Sequence, residues 1–309
     1  MNYFFNRSYP RKEEYISYQS SSSQISMNYK HPSQANECFL AMEYIGFHLF
    51  KLLNPEILYA LLIRVLTEQN FIFFSDNIQQ LTALVLGIYY LILPFKWPFI
   101  VIPNLPLDLI EVIESPVPFL IGLLVDKKKM RKYINSNNIN ANILYIEKGN
   151  LVFKEKQKIT FAEPNLNNLK SNIIQNLSKA QYYLASKMFD DYQSACEQLY
   201  KNIYGIFKNE FGDLIIRILK NENLGSQSSF EFTSETLVKN KNDSLGNEII
   251  NTSGPKDTNE EDYKRFIQKQ FIKFQKKENI EFATAFSQTQ LFASYVDDAL
   301  EILKKNDED

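Results

Sequence analysis

The chain has 309 residues, is 45% hydrophobic and carries 34 basic against 36 acidic side chains, a formal net charge of -2. Such a composition folds and suffices for one large domain or two lobes, and its charge balance argues against a nucleic-acid binder. Two His and two Cys in all are too few and too scattered for a His/Cys metal site or a disulfide framework, and they fit a reducing compartment. Nine glycines, no two closer than seven positions, exclude both G-x-G-x-x-G and the P-loop. No metal and no cofactor is expected.

Residues 1–35 are polar and irregular, with Ser20 to Ser23 in a row. They read as a poorly ordered arm in which Tyr15 and Ile16 could add an edge strand. Their charges follow a short apolar patch rather than preceding a long one, so they are not a signal peptide. Asn36 can cap a helix running to Leu53. Asn54-Pro55 opens another, with Leu58, Leu61, Leu62, Val65 and Leu66 on one face. Phe71–Phe74 reads as a strand buried on both faces, and Ser75-Asp76-Asn77 offers caps for a helix bearing Leu81, Leu84, Val85 and Ile88. The apolar window Leu81–Phe95 is too short to span a bilayer.

Phe99–Ile102 is a second strand, fenced by Pro98 and Pro103. A short helix from Pro106 to Glu114, a strand at Phe119–Val125, a helix at Lys127–Ile134 and a strand at Asn142–Ile146 follow. This alternation predicts right-handed crossovers and a mainly parallel sheet with helices on both faces, Phe71–Phe74 and Phe99–Ile102 being neighbours. Beyond Lys154 the pattern turns helical. Leu166, Leu169, Ile173, Leu177, Ala180 and Leu184 mark one long helix; Cys196, Leu199, Tyr200, Ile203 and Phe207 mark the next. Residues 221–260 hold eight apolar side chains and read as a flexible insertion. A last helix is predicted over 281–304. The expected division is an arm (1–35), an α/β lobe (36–150) and an all-α lobe (151–309).

No catalytic constellation stands out. His48, Cys38 and Cys196 lie among apolar helical positions and read as core residues, and Ser75 lacks the glycines of a nucleophile elbow. The run Lys127-Lys-Lys-Met-Arg131-Lys132 is a solvated basic face or a contact for an acidic partner or anionic lipid. Asp108, Glu111 and Glu114 lie on the connection leaving the carboxyl end of Phe99–Ile102, the side of an open parallel sheet where ligands and partners bind.

Two motifs carry a resemblance. Leu93-Pro94-Phe95-Lys96-Trp97-Pro98-Phe99 through Pro103-Asn104-Leu105-Pro106, then Ser115-Pro116-Val117-Pro118-Phe119-Leu120-Ile121-Gly122, resemble the central DENN domain. Leu62 through Ser75 is similar to the segment this family places upstream. Phe286 through Tyr295, with Thr289, Gln290 and Phe292, resembles the closing helix of its downstream region. The resemblance runs from about Asn36 to Lys304; residues 1–35 are too short for the family's upstream longin-like module. It implies a guanine-nucleotide exchange factor for a Rab-type small GTPase in vesicle traffic, cytoplasmic and recruited to membranes, working without covalent catalysis. The alternative is a non-catalytic scaffold binding a GTPase or a trafficking partner. Pro94, Trp97, Pro103, Pro106, Pro116, Pro118, Gly122, Thr289, Gln290 and Phe292 are expected to be structural. Ser75, Asp76, Asn77, Asn104, Asp108 and Glu111, near strand carboxyl ends, are the expected partner contacts.

Overall fold

A computed structural model describes residues 15–19, 26–30, 34–135, 139–147, 150–223 and 260–308. Within the expected arm, β1 (Tyr15–Gln19) and β2 (Ser26–Lys30) form a two-stranded antiparallel ladder with Tyr15 opposite Lys30. Tyr15 and Ile16 thus belong to a longer strand, which pairs with its own neighbour rather than with the main sheet. The insertion read over 221–260 lies, apart from its termini, outside the described residues.

The main sheet is mixed. Its strands β3 (Phe71–Ser75), β4 (Ile100–Ile102), β5 (Phe119–Leu124), β6 (Asn142–Glu147) and β7 (Asn150–Lys154) stand in the order β4-β5-β3-β6-β7. The pairs β4–β5, β5–β3 and β3–β6 are parallel, and β6–β7 is antiparallel. Phe71–Phe74 and Phe99–Ile102 are therefore not neighbours, since β5 lies between them. The burial pattern gives the reason: β3 is buried along its whole length, as a central strand must be, whereas β4 is half-buried and only three residues long. Pro98 and Pro103 flank β4 and cannot donate to a ladder, which suits an edge.

The two faces of β3 enter different cores. Phe71 and Phe73, with Leu120 and Leu144, pack beneath α2 (Pro55–Leu66) and α3 (Ile78–Leu91). Ile72 and Phe74, with Phe119, Ile121, Leu123 and Ile143, meet α4 (Lys127–Ile134) and a 3-10 segment, Leu107–Glu114. The helix α1 (Gln34–Leu49) starts two residues before the expected cap and lies against α3.

The second half is helical, with α5 (Asn167–Ala185), α6 (Phe189–Ile206), α7 (Asp213–Asn223), α8 (Glu260–Lys273), α9 (Ile280–Ser287) and α10 (Gln290–Glu308). The last two replace the single helix expected over 281–304. The break falls at Thr289, whose Oγ1 accepts the Phe292 N–H at 3.1 Å and donates to the Phe286 carbonyl at 2.6 Å. A cap side chain there restarts the helix. One apolar core joins the halves: Leu58, Leu62 and Phe73 share it with Leu169, Leu199 and Phe286.

Candidate functional site

Parallel pairing brings the carboxyl ends of β3, β4, β5 and β6 to one side of the sheet. The crossover from β3 travels by α3 on the Phe73 face, and that from β5 by α4 on the opposite face. β3 and β5 are adjacent, so their outgoing loops diverge and leave a topological switch point between Ser75–Asn77 and Val125–Asp126. The Val125 N–H donates to the Ser75 carbonyl at 3.0 Å and closes the floor of this crevice.

Sequence-predicted contacts gather at this end with unequal exposure. Ser75 is buried, and its Oγ accepts from the Asn77 N–H at 3.0 Å. Asp76, Asn77, Asn104, Asp108 and Glu111 are exposed. Asn77 Oδ1 accepts from the N–H groups of Gln79 and Gln80 at 2.9 and 3.1 Å, and Asp126 Oδ1 accepts from Lys129 at 2.7 Å. Both helix N-termini facing the crevice thus carry a side-chain cap of their own. In phosphate-binding folds those same N–H groups point at a ligand. Apolar surface rims this end: Ile78, Leu107, Leu109 and Leu124 are 45%, 36%, 55% and 39% exposed. Open leucines and side-chain-capped helix starts suit a protein contact better than small-molecule chemistry.

The amino end of the sheet is built differently. Asn142, fully buried, donates to Gln69 Oε1 at 2.8 Å and accepts from the N–H groups of Lys156 and Gln157, each at 3.0 Å. Asn70 receives the Phe119 N–H at 3.2 Å and gives its own N–H to Gln157 Oε1 at 2.8 Å. This amide network ties the starts of β3, β5 and β6 to the chain leaving β7. Sequence reasoning missed it, although the paired carboxamides Gln69-Asn70 ahead of an apolar run were the available signal.

Most of the motif residues also lie here. Trp97 is 5% exposed, touches Phe99 edge-on, and its Nε1 has no hydrogen-bond partner among the described residues. Phe95 packs against Phe286 and Tyr295 with ring centroids 5.1 and 4.8 Å apart. The Leu93–Pro94 peptide is cis. Pro116 and Pro118 lead into β5, while Pro103 and Pro106 bracket Asn104 at the far end of β4. Glu68, in the left-handed region at φ 57°, accepts the Leu291 N–H at 2.6 Å and so caps α10 beside Thr289 and Gln290. Burial raises its carboxyl above the usual range, against the pull of the backbone N–H groups of Leu291 and Gln290. Gly122 is explained by contact: a Cβ there would overlap the Pro103 carbonyl oxygen and lie 3.0 Å from Leu81.

Cys196 is buried and its thiol is pushed up to about 12 by desolvation, which removes the thiolate a nucleophile needs. His48 is only half-buried, edge-on to Tyr44 and Phe47, rather than a full core residue. Among the described residues no three His, Cys, Asp or Glu gather as metal ligands, and no helix is long and apolar enough to cross a membrane.

Residues 1–144 match the family model of the DENN (AEX-3) domain. The match takes in residues 1–35, which lie outside the motif-based resemblance, and stops short of the helical half. DENN domain-containing protein 2A of Mus musculus is 37% identical over 84 residues, covering 27% of this chain and 8% of that protein. For DENN domain-containing protein 2B of Homo sapiens the identity is 33% over 84 residues, covering 27% and 7%. The matched stretch is thus a small part of the length of these relatives.

Proposed function

From the premise that this chain carries a DENN domain within residues 1–144, we propose that it promotes nucleotide exchange on a Rab-type small GTPase in vesicle traffic. The observation that carries this reading is the carboxyl end of the sheet: an exposed rim of leucines and scattered carboxylates beside helix N-termini closed by Asn77 and Asp126. Exchange needs no nucleophile and no bound cofactor. A factor that binds the nucleotide-free GTPase best lowers nucleotide affinity by reciprocal linkage. It does so by holding the switch segments away from Mg²⁺ and phosphate. Asp76, Asn77, Asn104, Asp108 and Glu111 are the contact residues in this proposal, with Ser75 positioning Asn77 from below. The α/β and helical lobes, divided near residue 150, act as one body.

The test is release of labelled nucleotide from a panel of Rab proteins, with and without the chain. Acceleration on at least one member is expected. Binding without acceleration on any member would leave a scaffold, and absence of both would refute the GTPase reading.

A further inference from the structure

The basic helix α4 has no role in the proposal above, and its setting is specific. Lys128, Lys129, Arg131 and Lys132 are all exposed, and none forms an ion pair among the described residues. The same helix turns Met130 and Tyr133 inward, with Tyr133 stacked on Phe74 at 5.9 Å, so its cationic side faces solvent. Lys129, Lys132 and Tyr133 line an open depression of about 400 Å³ with Leu107 of the 3-10 segment. Leu124, 39% exposed, ends the strand that leads into α4. In a chain of net charge -2, four exposed cations on one short helix are a local reversal of sign.

We propose that this face of α4 seats the protein on an anionic lipid bilayer, with a headgroup phosphate between Lys129 and Lys132. Lysine ammonium groups on flexible stems meet a laterally mobile layer of negative charge without any fixed register. A recognised acidic peptide would instead call for the planar fork of arginine, which supplies only one of the four cations. Two nearby carboxylates oppose the contact. Asp126 is occupied in capping α4 through its Oδ1, and Asp108 adjoins Leu107.

The experiment is sedimentation of the full chain with vesicles of phosphatidylcholine alone, or with one third phosphatidylserine. Binding is expected only to the anionic vesicles and should weaken as salt rises. Each of Lys128→Gln, Lys129→Gln, Arg131→Gln and Lys132→Gln should reduce it by about fivefold. The quadruple variant should lose it while keeping the parental circular dichroism. The single variants keep the test readable should the quadruple one fail to fold. Failure of the parent to bind anionic vesicles, or equal binding by the variants, overturns the proposal. Nucleotide release in vesicle-free solution separates the two readings. Vesicle binding lost with exchange unchanged supports docking as a distinct function, whereas exchange lost with vesicle binding intact overturns it.

Discussion

The two ends of the parallel sheet solve opposite problems. At the amino end Asn70, Asn142 and Gln157 interlock, Glu68 reaches α10, and Phe95 sits against Phe286 and Tyr295. The carboxamides and the Glu68 carboxylate there are answered from within the chain. At the carboxyl end the bonds are local, made by the helix caps and by Ser75, while leucines and carboxylates stand open. Most of the recognisable motif residues belong to the closed end. A strong sequence signature here marks joinery between the halves of the chain, and the surface free to meet a partner carries the weaker signature.

That contrast can be broken by substitution, beginning where the effect should be greatest. Trp97→Ala should destabilise by about 3–5 kcal/mol in chemical denaturation, because a buried indole leaves a large cavity. Trp97→Phe, which also removes the unpartnered N–H, should cost less than about 1.5 kcal/mol. Gly122→Ala should cost about 1–3 kcal/mol, as β5 is forced from the Pro103 carbonyl. An unchanged melting temperature in that variant would refute the close approach of β5 to the Pro103 carbonyl.

Glu68→Ala should cost about 1–2 kcal/mol by leaving N–H groups of α10 without an acceptor. Its pH dependence sharpens the point. The folded carboxyl titrates above its ordinary 4.5, so the native state holds the proton more tightly than the unfolded state. This group's share of stability is therefore present at low pH and is lost as pH rises through the raised value. Glu68→Gln should flatten that segment of the stability profile, and denaturation series on either side of pH 4.5 would detect it.

The smallest stability effects belong to the other end. Asp108→Ala and Glu111→Ala should change stability by less than about 0.5 kcal/mol. In the proposed contact at least one of them should weaken GTPase binding by about fivefold or more. Substitutions that disturb folding and leave binding untouched would invert the comparison between the two ends.

Much of this was legible along the chain. Phe71–Phe74 and Phe119–Val125 announce buried strands by unbroken apolar runs, and Asn54 and Asn77 stand as caps where helices begin. What was hidden depends on partners distant in sequence. Strand order is decided by which strand buries both faces, so the placing of β5 between β3 and β4 could not be read from either alone. The pairing of β1 with β2 rests on two polar stretches with little apolar pattern. Thr289 breaks a periodicity that otherwise runs on, and Glu68 has no visible role until residue 291 is brought to it. At the candidate site, Ser75–Asn77 could be read as local cap chemistry. The exposed Leu107 and Leu109 could not, because their apolar character alone suggests burial.

The Glu68–Leu291 bond spans 223 positions of sequence. Synthesis runs from the amino terminus, so all of β3 to β7 emerges before the N–H donors of α10 exist. Until then the Glu68 carboxylate, the Phe95 ring and the apolar sides of α2 and α3 lack their final neighbours, leaving surface that is prone to aggregation or to chaperone capture. The closed end of the sheet is therefore the last part of the molecule to be completed, and a nascent chain arrested before residue 290 would expose it while already possessing the strands that form the open end.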